Sequence, residues 1–161
     1  MIRTFHHRDF TAEVLRKHKR VPVTVVLPTR RVADTIGPIV DSLRSLGDLI
    51  DQILVVDAAS DDGTPEIAAA RGAEVHQESE LLPEFGRALG KGDAMWRALS
   101  VARGEVIVYL DSDTRGFSPH FATGMLGPLL LADWVRFLKG MFRRPFDAVG
   151  EQHPRDGGVP G

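Results

Sequence analysis

The chain has 161 residues, of which 43% are hydrophobic, and this is enough for one domain with a sizeable core. Its 20 basic and 22 acidic residues leave a formal net charge of -2, which gives no general attraction to nucleic acid or to an anionic membrane. Because there is no cysteine, disulfides and thiolate metal sites are excluded, and an anionic ligand requires a local binding site.

No segment of the sequence predicts export or membrane insertion. Charged residues interrupt the N-terminus, and the longest apolar run, Leu126 to Leu138, is too short to cross a bilayer. We therefore expect a cytoplasmic protein without a membrane span. We divide the sequence into a basic segment over 1–20, one domain over 21–146, and a tail over 147–161 whose glycine, proline and charge predict disorder.

Apolar runs typical of buried strands alternate with segments of helical periodicity along the chain. The predicted elements are a short helix over 11–18, a strand over 23–27 that stops at Pro28, a helix over 34–46, a strand over 53–56, a helix up to residue 71 with Thr64 as its N-cap, a strand over 73–76, a loop over 78–90, a helix over 93–102 and a strand over 106–110. This alternation predicts an α/β fold with a mostly parallel central sheet.

The segments that follow the predicted strands are where chemistry is expected, because ligands of parallel sheets bind beyond the carboxyl ends of the strands. Three of these segments, 28–31, 57–62 and 111–113, carry polar or charged side chains. Their agreement predicts a binding site at this edge of the sheet.

Asp111 and Asp113 lie two positions apart, directly after the strand over 106–110. If extended geometry continues, both carboxylates point to the same side. Two hard oxygen ligands suit Mg²⁺ or Mn²⁺, which would keep waters and take further ligands from a substrate diphosphate. A solvated acidic turn is the alternative, and it is common for so short a motif.

Two further positions are candidates for ligand binding. Asp57 ends the second strand, where its carboxylate can accept hydrogen bonds from a ribose or a base, or cap the next helix. We interpret the nearby Asp61 and Asp62 as structural. Lys91 stands between two glycines before a predicted helix and can reach a phosphate from there, although a surface loop is the simpler interpretation.

Several other kinds of site are disfavoured. No Gly-x-Gly-x-x-Gly follows the first strand, and the glycines around Lys91 do not have the spacing of a Walker P-loop. The six histidines have no metal-ligand spacing, and no Ser–His–Asp arrangement is recognisable. We expect Trp96 and Trp134 to lie on helices and to pack in the core.

Several motifs stand at the predicted strand ends and helix starts. They are Val23-Thr24-Val25-Val26-Leu27-Pro28, Leu54-Val55-Val56-Asp57, Gly90-Lys91-Gly92-Asp93-Ala94-Met95-Trp96 and Leu110-Asp111-Ser112-Asp113. In this combination they resemble the glucosyl-3-phosphoglycerate synthases and their mannosyl relatives, which are retaining glycosyltransferases. The resemblance runs from about residue 4 to about residue 146 in register, and it implies a Rossmann-like GT-A nucleotide-sugar-binding domain.

The resemblance implies a metal-dependent transfer of glucose from UDP-glucose to the 2-hydroxyl of 3-phosphoglycerate, with Mg²⁺ or Mn²⁺ as cofactor. Carried over by position, Pro28 and Thr29 would line the uridine pocket, and the segment from Asp57 to Ser60 would contact the base. Lys91 would approach the nucleotide and act in catalysis. The motif Asp111-Ser112-Asp113 would hold ribose, metal and diphosphate. In it, Asp111 and Ser112 would bind the nucleotide sugar. Asp111 and Asp113 would bind the metal, and Asp113 would also act in catalysis.

This sequence departs from the family pattern in two ways. In the family, the first glutamate of the loop after the first strand helps to bind the nucleotide. This chain has Pro28-Thr29-Arg30-Arg31-Val32-Ala33 there and lacks that carboxylate, so UDP preference over GDP is left open. Family members are about twice as long, with an acceptor half that supplies the phosphoglycerate pocket and a metal-binding histidine. We therefore expect a truncated chain that lacks this half, and self-association, for example as a homodimer, through apolar surface over 134–142.

Two other functions stay open at this point. The first is a non-catalytic nucleotide-sugar-binding module or an inert remnant, which metal-dependent UDP binding without turnover, or no binding at all, would indicate. The second is a nucleotidyltransferase of similar architecture, which the missing glycine- and arginine-rich first loop disfavours. The choice between glucose and mannose as the transferred sugar is also open.

Overall fold

The structure, a computed structural model, describes residues 3–141. The predicted tail over 147–161 and the end of the predicted domain over 21–146 lie outside these residues. Within them, none of the helices has the length and apolar character needed to cross a membrane.

Four strands form one sheet, and five helices surround it. The strands are Val23–Thr29 (β1), Gln52–Asp57 (β2), Glu74–Gln77 (β3) and Val106–Tyr109 (β4). The helices are Ala12–His18 (α1), Ala33–Arg44 (α2), Thr64–Ala70 (α3), Lys91–Ala98 (α4) and His120–Leu131 (α5). The strand order is β3-β2-β1-β4 and every pair is parallel, which confirms the predicted α/β fold with a parallel sheet.

Side chains alternate between the two faces of the sheet and divide the core in two. On β1, Val25 and Leu27 join a cluster with apolar residues of α1, α2, α3 and α5, whereas Val26 joins a smaller cluster with α4. Neighbouring positions of β2 and β4 follow the same alternation. The sheet is therefore covered on both faces, as its continuous apolar strands predict.

The prediction that the first strand stops at Pro28 is wrong, since β1 continues to Thr29 and Pro28 pairs with Val56 of β2. The carbonyl of Pro28 faces the β4 side, where it accepts a hydrogen bond from the Ser112 hydroxyl. The missing N–H of Pro28 points to the same side, beyond the last paired residue of β4, Tyr109. No ladder hydrogen bond is lost there, so the strand tolerates the proline.

Two predicted helix starts are also wrong. The N-cap of α3 is Gly63, with φ 86°, and Thr64 is the first helical residue. Its hydroxyl accepts a hydrogen bond from the backbone N–H of Val32 instead of capping its own helix. Likewise, Lys91 does not precede α4 but is its first residue, after Gly90 at φ 116°.

The N-terminal segment docks on α5 because α5 presents glycines to it. The ring of Phe10 lies over Gly127, and the Cβ of His7 lies over Gly124. The two tryptophans contradict their prediction as core residues: the exposed fraction is 43% for Trp96 and 56% for Trp134. Trp134 lies beyond the end of α5, where it stacks on Phe5 with ring centroids 6.0 Å apart.

Replacing Gly127 by alanine is expected to lower the free energy of unfolding by about 1–3 kcal/mol, as measured by urea denaturation. The added Cβ would lie 2.1 Å from Cγ of Phe10, and this overpacking outweighs the higher helix propensity of alanine.

Gly92→Ala is the matched control, because a Cβ at that helical position meets nothing within 4 Å and should leave stability unchanged or raised. The destabilisation by Gly127→Ala should shrink in a Phe10→Ala background. An equal loss in both backgrounds would contradict the proposed contact.

Candidate functional site

The candidate site lies where the strand order of the sheet reverses. The chain runs from β1 outward to β2 and β3 and then returns to place β4 on the other side of β1. The switch point is therefore between β1 and β4, and ligands of open parallel sheets bind beyond the strand ends at such a point. The segments over 30–32 and 110–113 leave the sheet here.

Asp57, the last residue of β2, is fully buried and organises the neighbouring loops. Its Oδ1 accepts hydrogen bonds from the hydroxyls of Thr29 and Ser60, both at 2.7 Å. Its Oδ2 accepts from the backbone N–H of Ser60 at 2.8 Å and from the side-chain amide of Gln77 at 3.3 Å. The four donors satisfy a buried carboxyl group that would otherwise be costly to desolvate.

The loop after β1 is tied to the loop after β2 through Ser60. Besides donating to Asp57, the Ser60 hydroxyl accepts a hydrogen bond from the backbone N–H of Arg31 at 2.8 Å. Arg31 has φ 53° and Ala59 has φ 52°, so each loop holds one non-glycine residue in the left-handed region. Such backbone conformations cost energy and persist where surrounding contacts fix them.

Acidic side chains hold the same two loops together from outside. The guanidinium of Arg31 makes two contacts of 2.9 Å with the carboxylate of Asp61. Asp62 accepts hydrogen bonds from the hydroxyl of Thr64 at 2.6 Å and from the backbone N–H of Ala33 at 3.1 Å. These contacts agree with the structural interpretation of Asp61 and Asp62.

The Asp111-Ser112-Asp113 segment is anchored by its middle residue. The Ser112 side chain is buried, and its hydroxyl donates to the carbonyl of Pro28 at 2.6 Å. Its own carbonyl accepts a hydrogen bond from the hydroxyl of Thr35, on the first turn of α2, at 2.7 Å. Asp111 and Asp113, which flank Ser112 in the sequence, are both exposed.

The oxygen donors of these two carboxylates fit Mg²⁺ or Mn²⁺ chemically. Over residues 3–141, however, no group of three or more histidine, aspartate or glutamate side chains is placed to hold a metal. The part of the chain that the structure describes would therefore supply two ligands from Asp111 and Asp113, and other ligands would come from water and the substrate.

Lys91 reaches the 111–113 segment from α4, which packs on the face of the sheet opposite to α2 and α5. It is the first residue of α4, and its ammonium group forms an ion pair with Asp111. Among the described residues, Asp113 forms no hydrogen bond or ion pair with another side chain. Thus Lys91 and Asp111 form an ion pair, and Pro28 and Ser112 are joined by one hydrogen bond. Thr29, Asp57 and Ser60 form a third group, in which Thr29 and Asp57 are buried and Ser60 is half-buried.

The structure adds a residue that sequence reasoning missed. Arg97 of α4 is buried, and its guanidinium donates to backbone carbonyls of the segment over 81–86. The signal for it lay in the helical pattern, because Arg97 shares the buried face of α4 with Ala94 and Ala98. An arginine on an apolar helix face needs hydrogen-bond acceptors.

A shallow cavity of about 410 Å³ adjoins the site on the α2 side. It is lined by Asp34, Thr35, Thr114, Arg115 and Phe117 among others. Because Thr35 also bonds to Ser112, the cavity is continuous with the segment that follows β4.

Comparison with known proteins identifies a family pattern over the same region. The pattern described as Glycosyl transferase family 2 matches residues 24–129 and so includes every predicted site residue. The glucosyl-3-phosphoglycerate synthase of Mycolicibacterium paratuberculosis is 42% identical over 130 residues, which cover 80% of this chain and 39% of that protein.

Among solved structures, this chain is similar to enzymes of the same kind. The structure of mannosyl-3-phosphoglycerate synthase from Rubrobacter xylanophilus matches with a TM-score of 0.85 and 52% identity, over 91% of this chain and 50% of that chain. The structure of glucosyl-3-phosphoglycerate synthase from Mycobacterium tuberculosis in complex with Mn²⁺, UDP and glucosyl-3-phosphoglycerate matches with a TM-score of 0.74 and 36% identity, over 81% and 47%. The chain thus spans about half the length of these proteins, or less.

The contacts of Asp62 make the free energy of unfolding depend on pH, and this dependence can be measured. The hydrogen bond from the Thr64 hydroxyl lowers the pKa of Asp62 below its usual value, and the backbone N–H groups of Ala33 and Thr64 add to this effect. A carboxyl whose pKa is lowered by folding stabilises the fold above its unfolded pKa of about 3.9, and this contribution is lost as the pH falls through the lower folded value.

We expect the difference in unfolding free energy between the native chain and Asp62→Asn to be constant from pH 7 to about 5 and to shrink below about pH 4. Urea unfolding at a series of pH values measures it, and the other carboxyl groups cancel in the comparison. A difference that stays constant down to pH 3 would contradict the assignment.

Proposed function

The chain belongs to glycosyl transferase family 2, and we propose that it is the donor-binding half of a glucosyl-3-phosphoglycerate synthase. In this proposal it binds UDP-glucose with Mg²⁺ or Mn²⁺, and the glucose is transferred with retention to the 2-hydroxyl of 3-phosphoglycerate. The observation that carries the proposal is the ion pair between Lys91 and Asp111, beside the exposed Asp113, at the switch point of the sheet.

The ligands bound in related structures support the ligands proposed here. The Mycobacterium tuberculosis enzyme has been solved with Mn²⁺, UDP and glucosyl-3-phosphoglycerate, and also with Mg²⁺ and UDP. Its similarity covers 81% of this chain. A nucleoside diphosphate and a divalent cation are therefore the first ligands to test.

Asp111 and Asp113 would hold the cation, and Lys91 would face the diphosphate from the N-terminus of α4. When bound, the cation would neutralise charge on the departing diphosphate. In the structure the Lys91 ammonium is paired with Asp111. Lys91 therefore has to exchange this carboxylate for phosphate oxygens when the donor binds, while Ser112 keeps the segment on Pro28.

The nucleoside would lie against the loops after β1 and β2. Pro28 and Thr29 would form the floor of the uridine pocket, and Ser60 with its neighbouring backbone would contact the base. The Asp57 carboxyl already accepts four hydrogen bonds inside the protein. We propose that its contribution is to hold Ser60 and Thr29 in place, because a direct contact with the base would require one of these bonds to be given up.

We propose phosphoglycerate binding only for a protein that also contains the second half, which the relatives have and this chain does not span. Within residues 3–141, a cavity lined by Arg115 lies next to the 111–113 segment. If the chain binds donor without transfer, the proposal reduces to a nucleotide-sugar-binding module.

Mannose is a second candidate for the transferred sugar, with a GDP-sugar as donor. One observation favours it: the structure named as a mannosyl-3-phosphoglycerate synthase is 52% identical to this chain, against 42% and 36% for the glucosyl enzymes compared above. The family's first-loop glutamate is missing from the run Pro28-Thr29-Arg30-Arg31-Val32-Ala33, and this removes one reason to prefer UDP.

Calorimetric titration of UDP-glucose in the presence of Mg²⁺ or Mn²⁺ is expected to show binding that a chelator abolishes. Asp113→Ala should weaken it at least about tenfold, because one of two protein ligands to the cation is lost. GDP-mannose, titrated in parallel, distinguishes the two donors.

Asp133→Ala is a matched control, since Asp133 lies beyond α5 and outside the site. Donor binding that is unaffected by the chelator would contradict the metal site. No binding of either donor to a folded chain would contradict the proposed function as a whole.

Replacing Lys91 by methionine should have opposite effects on the two ligands. Without nucleotide, Mn²⁺ should bind up to about fivefold more tightly, because Asp111 is released from an exposed ion pair. With Mg²⁺ present, UDP should bind more weakly, because a phosphate contact is lost. Electron paramagnetic resonance of free Mn²⁺ measures the first effect, and Lys91→Arg, which keeps the charge, should show neither in full.

A further inference from the structure

Arg97 of α4 is the buried cation of the described chain, with 1% of its surface exposed. Its guanidinium donates to the carbonyls of Leu81 at 2.6 Å, Leu82 at 3.0 Å and Gly86 at 2.7 Å. Its Nε also contacts Oδ2 of Asp93 at 3.2 Å, one helical turn earlier. A buried guanidinium is tolerated because nearly all its donors are matched in this way.

Besides the Arg97 contacts, the segment over 81–90 is held by the buried Leu81 and by an edge contact between the rings of Phe85 and Trp96, whose centroids are 5.1 Å apart. Leu82 has φ 50°, Gly86 has φ 80° and Gly90 has φ 116°, so the backbone turns repeatedly. Of its large apolar side chains, Leu81 is buried, whereas Phe85 and Leu89 are exposed by 64% and 89%. Segments with few buried apolar contacts open easily unless polar contacts restrain them.

The same cluster of contacts reaches the residue before Gly90. Oδ2 of Asp93, which contacts Arg97, also accepts a hydrogen bond from the backbone N–H of Leu89 at 3.0 Å. Arg97 and Asp93 together therefore fix both the beginning and the end of the segment over 81–90. The residue that follows this segment, after Gly90, is Lys91.

We propose that Arg97 is a positioning residue that acts through Lys91: by clamping the segment over 81–90, it sets where α4 begins and where the Lys91 ammonium points. The inference deepens the proposed function and rests on it. Arg97 itself touches no ligand, since it is buried beneath the segment that it holds.

A purely structural role is the competing explanation, and its consequences differ. The buried face of α4 is otherwise apolar, with Ala94, Ala98 and the neighbouring Leu81, and a methionine fits such a surface. Arg97→Met leaves the Asp93 carboxylate and three backbone carbonyls without their donor, so a loss of stability is expected under either role. Stability alone therefore does not distinguish the two roles, and ligand binding has to be measured.

The test is a double-mutant cycle on nucleotide affinity with saturating Mg²⁺. UDP and UMP are titrated into the native chain, Arg97→Met, Lys91→Met and the double variant. We expect Arg97→Met to weaken UDP binding about tenfold and UMP binding by much less, since UMP lacks the second phosphate. In the Lys91→Met background, Arg97→Met should weaken UDP binding no further.

Equal losses for UDP and UMP, or the same loss in both backgrounds, would overturn the inference and leave Arg97 as a residue of the fold. Arg71→Met is the matched control, because Arg71 pairs with Asp41 at the surface and contacts none of the clamp. If Arg97→Met fails to fold, Arg97→Lys takes its place in the cycle, since it keeps the charge but loses most of the carbonyl contacts.

Hydrogen exchange separates this inference from the proposed function. If the native chain binds no UDP, the proposed function fails, and the inference is decided by the amides over 86–91. They must exchange at least about tenfold faster in Arg97→Met while those of β1 and β2 are unchanged. Unchanged protection over 86–91 would overturn the inference.

Discussion

The candidate site depends on the hydrogen bonds that the buried carboxyl group of Asp57 accepts. A carboxyl at the end of a parallel strand has either to reach solvent or to find donors, and Asp57 finds four of them. Because these come from Thr29, Ser60 and Gln77, the ends of β1, β2 and β3 are joined at one point. The left-handed residues Arg31 and Ala59 stand directly beside it, and their conformations persist because this network fixes the loops around them.

The other side of the site uses the opposite chemistry. On the β1–β2 side, the carboxyl group of Asp57 accepts hydrogen bonds from N–H and hydroxyl donors. On the α4 side, the guanidinium of Arg97 donates hydrogen bonds to backbone carbonyls. In each case one buried side chain that can carry charge makes several hydrogen bonds to the loop around it. The 111–113 segment lies between them and is held by Ser112, which bonds to Pro28 and to Thr35.

Sequence patterns predicted the fold well because apolar strands and amphipathic helices show which residues are buried, and this pattern is visible in the local sequence. They placed Asp57 and the 111–113 segment at one edge because parallel strands end together. They failed where a partner distant in sequence decides. Pro28 stays in β1 because β4 has already ended, Thr64 bonds to Val32 instead of capping, and Arg97 is revealed only by the carbonyls around it.

The charges at this edge bear on the order in which ligands bind. In the structure, Arg31 is paired with Asp61 and Lys91 with Asp111, so both cations already have acidic partners. Asp113 adds a further exposed carboxylate. If Asp111 and Asp113 hold a divalent cation, as the proposed function requires, the cation would offset their charge and leave Lys91 free to meet the diphosphate. It follows from the proposed function that cation and nucleotide each raise the affinity of the chain for the other, since coupling between two ligands is reciprocal.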